Sequence, residues 1–254
     1  MTINSLVDGP ADGPVVVLGS AIGTDAGLWA RQVPALAQRY RVVRYEHRGH
    51  GRSPAPPGPY TLADLGGDVL ARLDSLGVDR ASFGGVSLGA MVAMWIAAHA
   101  PGRVDRLVLV ATSAKLPQDL WAERARVARA EGLEPLADRV VERWFTPAYA
   151  AGHPDVVAAF RAAFLSTDPE GYAGCCDAIR SMDLERHLGR IAAPALVVAG
   201  TDDVATPPSH GERIRDGIRH GRLALVPGAA HLPTVSHPDV IAAMVKGFLD
   251  EFLD

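Results

Sequence analysis

Cysteine is nearly absent: the chain has two in 254 residues, Cys175 and Cys176, side by side. Adjacent cysteines are a poor basis for a disulfide framework, and two small apolar residues within a helix account for them. No basic stripe is present and the formal net charge is −4, which argues against nucleic-acid and membrane-surface partners. No uninterrupted apolar run approaches the roughly 20 residues needed to cross a bilayer. The opening "MTINSLVDGPADG" has no basic segment followed by an apolar core, so no signal peptide is read there. Internal repeats, low-complexity tracts and metal-ligand histidine spacings are also missing. These absences leave a globular protein of a reducing cytoplasm, with a small molecule as its expected partner. They say nothing of oligomeric state.

What is present is alternation. Strand-like runs occur at "PVVVL" (14–18), "RVVRYEH" (41–47), "RASFGGV" (80–86) and "RLVLVATS" (106–113). Between them lie helix-like stretches: "LWARQVPALAQRY" (28–40), "TLADLGGDVLARLDSLG" (61–77) and 87–99. Strand and helix in alternation with short links predict parallel strands covered by helices. From about Lys115 to Arg190 the rhythm changes and only helical stretches follow. Alternation returns at "PALVVAG" (194–200), "HGERIRDGIRH", "RLALVP" and a closing helix over 239–253. The expected architecture is α/β, a mostly parallel sheet flanked by helices. Its core spans 1–114 and 191–254, and a helical cap over 115–190 is inserted after the sixth strand.

Within that pattern, Gly85-Val86-Ser87-Leu88-Gly89 stands between a strand and a helix. A tight strand-to-helix turn lifts its central side chain clear of the sheet, and flanking glycines allow close backbone approach. Ser87 is therefore the candidate nucleophile. A serine hydroxyl needs a base and the base an orienting acid, expected in the chain order Ser, Asp or Glu, His. "PALVVAGTDDVATPP" offers Asp202 and Asp203 directly after a strand; Asp203 is the expected acid and Asp202 a turn residue. "RLALVPGAAHLPTVSHP" places His231 after the last strand. His47, His50, His99, His187, His210 and His237 read as loop, cap or helix-end residues, with "EHRGHGRS" a loop-shaping network. The oxyanion donors are expected at the backbone N–H of Leu88 and in "GSAIGT" (19–24), at Ala21 or alternatively Ile22.

The chain resembles the α/β-hydrolases with a helical lid, and more narrowly the 3-oxoadipate enol-lactonases of aromatic degradation. The resemblance rests on "GSAIGTDAGLWARQVPAL", the long stretch from "RYRVVRYEHRGHGRS" to "GGVSLGAM", "RLVLVATSA", "RWFTPAY", "GYAGCCDAIRSMDL", "GTDDVATPP" and "AAHL". It covers nearly the whole chain; the two cap strings and the lack of a His-Gly oxyanion dipeptide narrow it. Two departures stand out. Enol-lactonases usually carry Ser-Asn-Ser-Leu-Gly-Thr where this chain has Gly19 to Thr24. They also have Met-Gly-Gly where it has Leu88-Gly89-Ala90.

The resemblance implies attack of Ser87 on a lactone carbonyl, either through an acyl-enzyme or with His231 directing water, and no metal or cofactor. It implies Trp144 and Ile22 as substrate contacts, and a cap cation for the substrate carboxylate. Arg139, Arg143 and Arg180 lie in the expected cap, Arg139 and Arg180 being the expected contacts. An esterase, a C–C bond hydrolase with the same triad, or a non-catalytic ligand receptor are the competing readings.

Overall fold

The computed structural model describes residues 2–251. Seven strands form one sheet in the order β1-β3-β2-β4-β5-β6-β7. They are β1 (Ser5–Asp8), β2 (Val15–Gly19), β3 (Arg41–Tyr45), β4 (Ala81–Val86), β5 (Val104–Val110), β6 (Ala195–Gly200) and β7 (Gly221–Val226). All pairings are parallel except β1 with β3. The central strands β4 and β6 are buried along their whole length. That is why they read as unbroken apolar runs rather than as alternation.

Eleven helices accompany the sheet among the described residues. On the core side of the chain are α1 (Val33–Leu36), α2 (Leu62–Ser75) and α3 (Leu88–His99). Between β5 and β6 come α4 (Gln118–Glu131), α5 (Glu134–Val141), α6 (Pro147–Gly152), α7 (Pro154–Leu165) and α8 (Pro169–Ser181). The last three are α9 (Pro208–Gly217), α10 (Pro233–Ser236) and α11 (Pro238–Asp250). α2 begins with a capping box, Thr61 and Asp64 each bonding the other's backbone N–H. α3 is apolar around its circumference; only Trp95 and His99 escape full burial, as befits a helix enclosed by other elements.

Four sequence expectations need correction or limits. The helical segment follows the fifth strand in chain order, not the sixth. β1 was not anticipated: it is four residues long, lies at the sheet edge, and is half-exposed on both faces, so it carries no alternation. The helix expected over 28–40 is instead a short 3₁₀ turn (Ala26–Trp29) and the single turn α1. Pro34 has no N–H to continue a helix from residue 30, and its ring clashes with the preceding turn. The closing helix is seen to Asp250; its expected end at residues 252 and 253 lies outside the described residues.

The chain leaves β2 in one direction for β3 and arrives from α2 on the other side at β4. In such sheets the crevice beyond the C-terminal ends of the strands is where a ligand fits. The loops 20–24 and 87–88 both open there.

Candidate active site

Ser87 follows β4 with φ 52° and ψ −112°, a left-handed conformation that non-glycine residues rarely adopt. Such a residue costs about 1–3 kcal/mol and persists only where its surroundings over-determine it. Here they do: the Ser87 N–H donates to the Val110 carbonyl at 2.9 Å, and the Thr112 hydroxyl donates to the Ser87 carbonyl at 2.9 Å. The two glycines of the motif are spatial requirements. A Cβ on Gly85 would stand 2.2 Å from the Gly89 carbonyl carbon, and one on Gly89 would stand 2.4 Å from the Gly19 carbonyl. Helix α3 thus starts in backbone contact with both β4 and β2.

Asp203 is buried after β6 and makes four contacts. Its Oδ1 accepts from the N–H groups of Ala205 (2.7 Å) and Thr206 (3.0 Å); its Oδ2 accepts from the Thr206 hydroxyl (2.7 Å) and meets His231 Nδ1 at 2.9 Å. Burial alone would raise this carboxyl, but the charge and hydrogen bond of His231, with those of Thr206, hold it below the ordinary aspartate value. An ionised Asp203 accepts the Nδ1 proton and leaves Nε2 as the basic nitrogen of the neutral ring. Asp202, the rival acid, is exposed and accepts only from the Thr201 hydroxyl at 2.9 Å. Adjacent to the ring, the Leu232 N–H donates to the Trp144 carbonyl at 3.1 Å, so the segment after α5 anchors the histidine loop.

Ser87 and His231 line one cavity of about 270 Å³. Ile22, Leu116, Leu120, Trp121, Val140 and Trp144 give it apolar walls; Arg124, Arg143, Thr206 and His210 supply polar ones. Val204, 66% exposed, stands at its rim. Trp144 is buried edge-to-face against Phe160 and Phe164, which fixes its ring in the wall.

The loop 20–24 is bound from every side. His47 Nε2 donates to the Ser20 carbonyl (3.0 Å), and the Gly23 N–H donates to His50 Nε2 (2.9 Å), whose Nδ1 donates in turn to the Arg48 carbonyl (2.9 Å). Burial drives both imidazoles down, His47 to about 3, so both are neutral at pH 7. Thr24 closes the loop on the Ala21 carbonyl with its N–H (3.1 Å) and hydroxyl (2.8 Å). The loop-shaping expectation for "EHRGHGRS" describes this network well. Ala21 and Ile22 are both buried, and Ile22 lines the cavity that Ser87 lines.

Two expected contacts are not at the cavity. Arg139 is exposed on α5 in an adjoining groove, and Arg180 pairs with Asp177 at 3.5 Å in a groove on another face. The cations that do line the cavity are Arg143 and Arg124. Arg124 and His210 were missed by sequence reasoning. The available signal for Arg124 was register within α4, where Leu120, Trp121 and Arg124 share one face at helical spacing. The two cysteines are buried, unpaired thiols in α8, pushed above the ordinary thiol range by burial.

Residues 14–238 match the α/β hydrolase fold family, and the chain belongs to it. Its relatives are more particular. It is 34% identical to 3-oxoadipate enol-lactonase 2 of Acinetobacter baylyi over 253 residues, covering 99% of this chain and 94% of that one. The solved enol-lactonase of Burkholderia xenovorans LB400 superposes with a TM-score of 0.95 at 40% identity, covering 98% of this chain and 96% of that one. A Variovorax paradoxus protein described as a carbamate hydrolase, RutD, is 34% identical over 98% of this chain and 96% of its own. Among the described residues no helix is long and apolar enough to cross a membrane.

Proposed function

We propose that the protein is a cytoplasmic serine hydrolase of small lactones or esters, with 3-oxoadipate enol-lactone as its substrate. The observation that carries this reading is the Asp203–His231 pair opening onto the same cavity as the strained Ser87. The similarity to two enol-lactonases supports the choice of substrate.

In the mechanism, His231 Nε2 takes the Ser87 proton as Oγ attacks the lactone carbonyl. Asp203 keeps the ring in the required tautomer and stabilises it when it becomes charged. The N–H of Leu88, at the start of α3, and that of Ile22 stabilise the tetrahedral oxyanion; Ile22 replaces Ala21 in this role because it borders the cavity. The leaving group is an enolate, easier to expel than an alkoxide. The His231 imidazolium returns the proton to it, giving the keto form on tautomerisation and restoring the neutral ring. Water that gives its proton to His231 Nε2 then attacks the acyl carbonyl, and the proton passes to Ser87 Oγ as the oxo-acid leaves. Side chains, backbone donors and water suffice for each step. The helices over 115–190 act as a cap on the core (1–114 and 191–254), and Trp144 and Ile22 contact the substrate.

The test is hydrolysis of freshly prepared enol-lactone, followed by loss of its ultraviolet absorbance. Wild type should turn over rapidly and Ser87→Ala should lose roughly 10⁴- to 10⁶-fold in kcat. A protein that cleaves simple aryl esters through Ser87 but ignores the enol-lactone would keep the mechanism and discard the substrate. The similarity to RutD favours a second reading, hydrolysis of a carbamate by the same residues. A kcat/KM for a small carbamate above that for the lactone would select it.

A further inference from the structure

Hydrogen bonds within the core tie the loops of Asp203 and His231 together just before each of these residues. The Asp202 N–H donates to the Ala229 carbonyl at 3.0 Å, and the Gly228 N–H donates to the Thr201 hydroxyl at 2.9 Å. Just after each residue, the contact comes instead from the helices between β5 and β6. Arg143 Nη2 donates to the Val204 carbonyl at 3.2 Å, and the Leu232 N–H donates to the Trp144 carbonyl at 3.1 Å. Arg143 and Trp144 are consecutive, in the turn that follows α5, where their own N–H groups return to the Val140 and Val141 carbonyls. One short turn therefore touches both the acid loop after β6 and the histidine loop after β7.

A third contact reaches the loop after β2. The Trp144 ring packs edge-to-face on Phe164 of α7, with centroids 6.0 Å apart, and Phe164 packs edge-to-face on Tyr172 of α8 at 5.3 Å. Phe164 is fully buried against Gly23: a Cβ on that glycine would stand 2.5 Å from the Phe164 Cδ2. Gly23 follows Ile22, the proposed oxyanion donor, and its φ of 78° sets the direction of the loop. Phe164 itself does not line the Ser87 cavity. The acid, the base and the oxyanion loop thus meet one set of side chains and backbone groups from outside the sheet. Where reacting groups must be aligned, a misplacement of about 1 Å costs on the order of 100-fold in rate.

We propose that Arg143, Trp144 and Phe164 form a brace that positions Asp203, His231 and the loop 20–24. The helices between β5 and β6 are then a fixed part of the catalytic framework, not a lid that swings clear. The proposal rests on the hydrolase reading of Ser87. In this role the three are positioning residues, acting through the loops they hold.

4-Nitrophenyl acetate reads the brace, because its acetyl group is too short to need the far walls of the cavity. Rates are expressed per Ser87 titrated with a fluorophosphonate. Phe164→Leu and Arg143→Met should each lower kcat about 10- to 100-fold, with KM within about 3-fold of wild type. Arg143→Lys keeps a donor and should recover part of kcat. A residue that only supports the fold would lower the melting temperature and the titratable fraction, leaving kcat per titrated site unchanged. That result in either variant overturns the brace. Should Phe164→Leu fail to fold, Arg143→Met, at a half-buried position, decides alone. Should wild type leave this ester intact, proton NMR reads the brace instead. The His231 Nδ1–H that bonds Asp203 gives a far-downfield signal, identified by its absence in Asp203→Asn. Broadening of that signal by faster solvent exchange in the brace variants supports the proposal, and an unchanged signal in either overturns it. Failure of the hydrolase reading shows separately, as wild type turning over neither this ester nor the enol-lactone.

Discussion

At the scale of single residues, Asp203 shows how environment decides between two neighbouring carboxylates. Asp202 and Asp203 are chemically alike and one position apart, yet only the second is buried with four donors converging on it. An Asp203→Asn variant keeps the shape but presents an amide to His231 Nδ1, which favours the wrong imidazole tautomer. We expect the folded variant to lose about 10³- to 10⁴-fold in kcat with little change in melting temperature, measured by steady-state hydrolysis and thermal unfolding. Equal loss in both would mark Asp203 as a structural residue. Chain order and a preceding strand pointed to Ser87, Asp203 and His231. The structure pairs Asp203 with His231 and lines one cavity with Ser87 and His231, while their catalytic roles belong to the proposal that these variants test. The choice between Ala21 and Ile22 was not legible. It depends on how the loop is folded, through Thr24 bonding the Ala21 carbonyl and Gly23 bonding His50, and the sequence pattern does not encode those contacts.

At the scale of elements, the loop after β2 depends on two histidines that work as neutral hydrogen-bonding groups. Their folded-state values lie below the ordinary imidazole value, so below about pH 6.5 the unfolded chain binds protons that the folded one refuses. Stability is therefore fully present above that pH and is lost on acidification, at roughly 1.4 kcal/mol per pH unit for each site. For His47 this continues to about pH 3. Asp203 adds its own loss only below about pH 4, the ordinary aspartate value. Urea unfolding between pH 7 and pH 4.5 should show this slope, and His47→Gln, which keeps a donor for the Ser20 carbonyl, should reduce it. His187 and His210 shift in the same direction, so an unchanged slope in the variant would assign the effect to them. Buried strands and long periodic helices were legible in the sequence. The segment 28–40 and the edge strand β1 were not, because apolar spacing there is interrupted by Pro34 or absent over four half-exposed residues.

At the scale of the whole molecule, the helices between β5 and β6 are seated on the core through backbone, not only through side chains. The Asp168 N–H donates to the Gly49 carbonyl at 2.9 Å, and a Cβ on Gly171 would stand 2.4 Å from the Gly49 Cα. An alanine at position 171 would gain about 1 kcal/mol of helix propensity in isolation. The overlap with backbone outweighs that gain, and overpacking of this kind costs about 1–3 kcal/mol. Gly171→Ala should thus lower the melting temperature and raise KM together; a variant of unchanged or higher stability would show that α8 can shift without consequence. The sequence by itself determined the alternating α/β order and the strand-to-helix turn at Ser87, and it singled out Asp203 and His231 as candidates at strand ends, because these depend on local periodicity and on residues within a few positions of a strand end. Only the tertiary structure decided which arginines line the cavity, since Arg124 on α4 and Arg143 just after α5 both border it, while Arg139, four residues before Arg143, lines only the adjoining groove. Register places Arg124 on the face of Leu120 and Trp121, but which face of a helix meets the cavity is set by packing against its neighbours, and no local pattern in the chain carries that information.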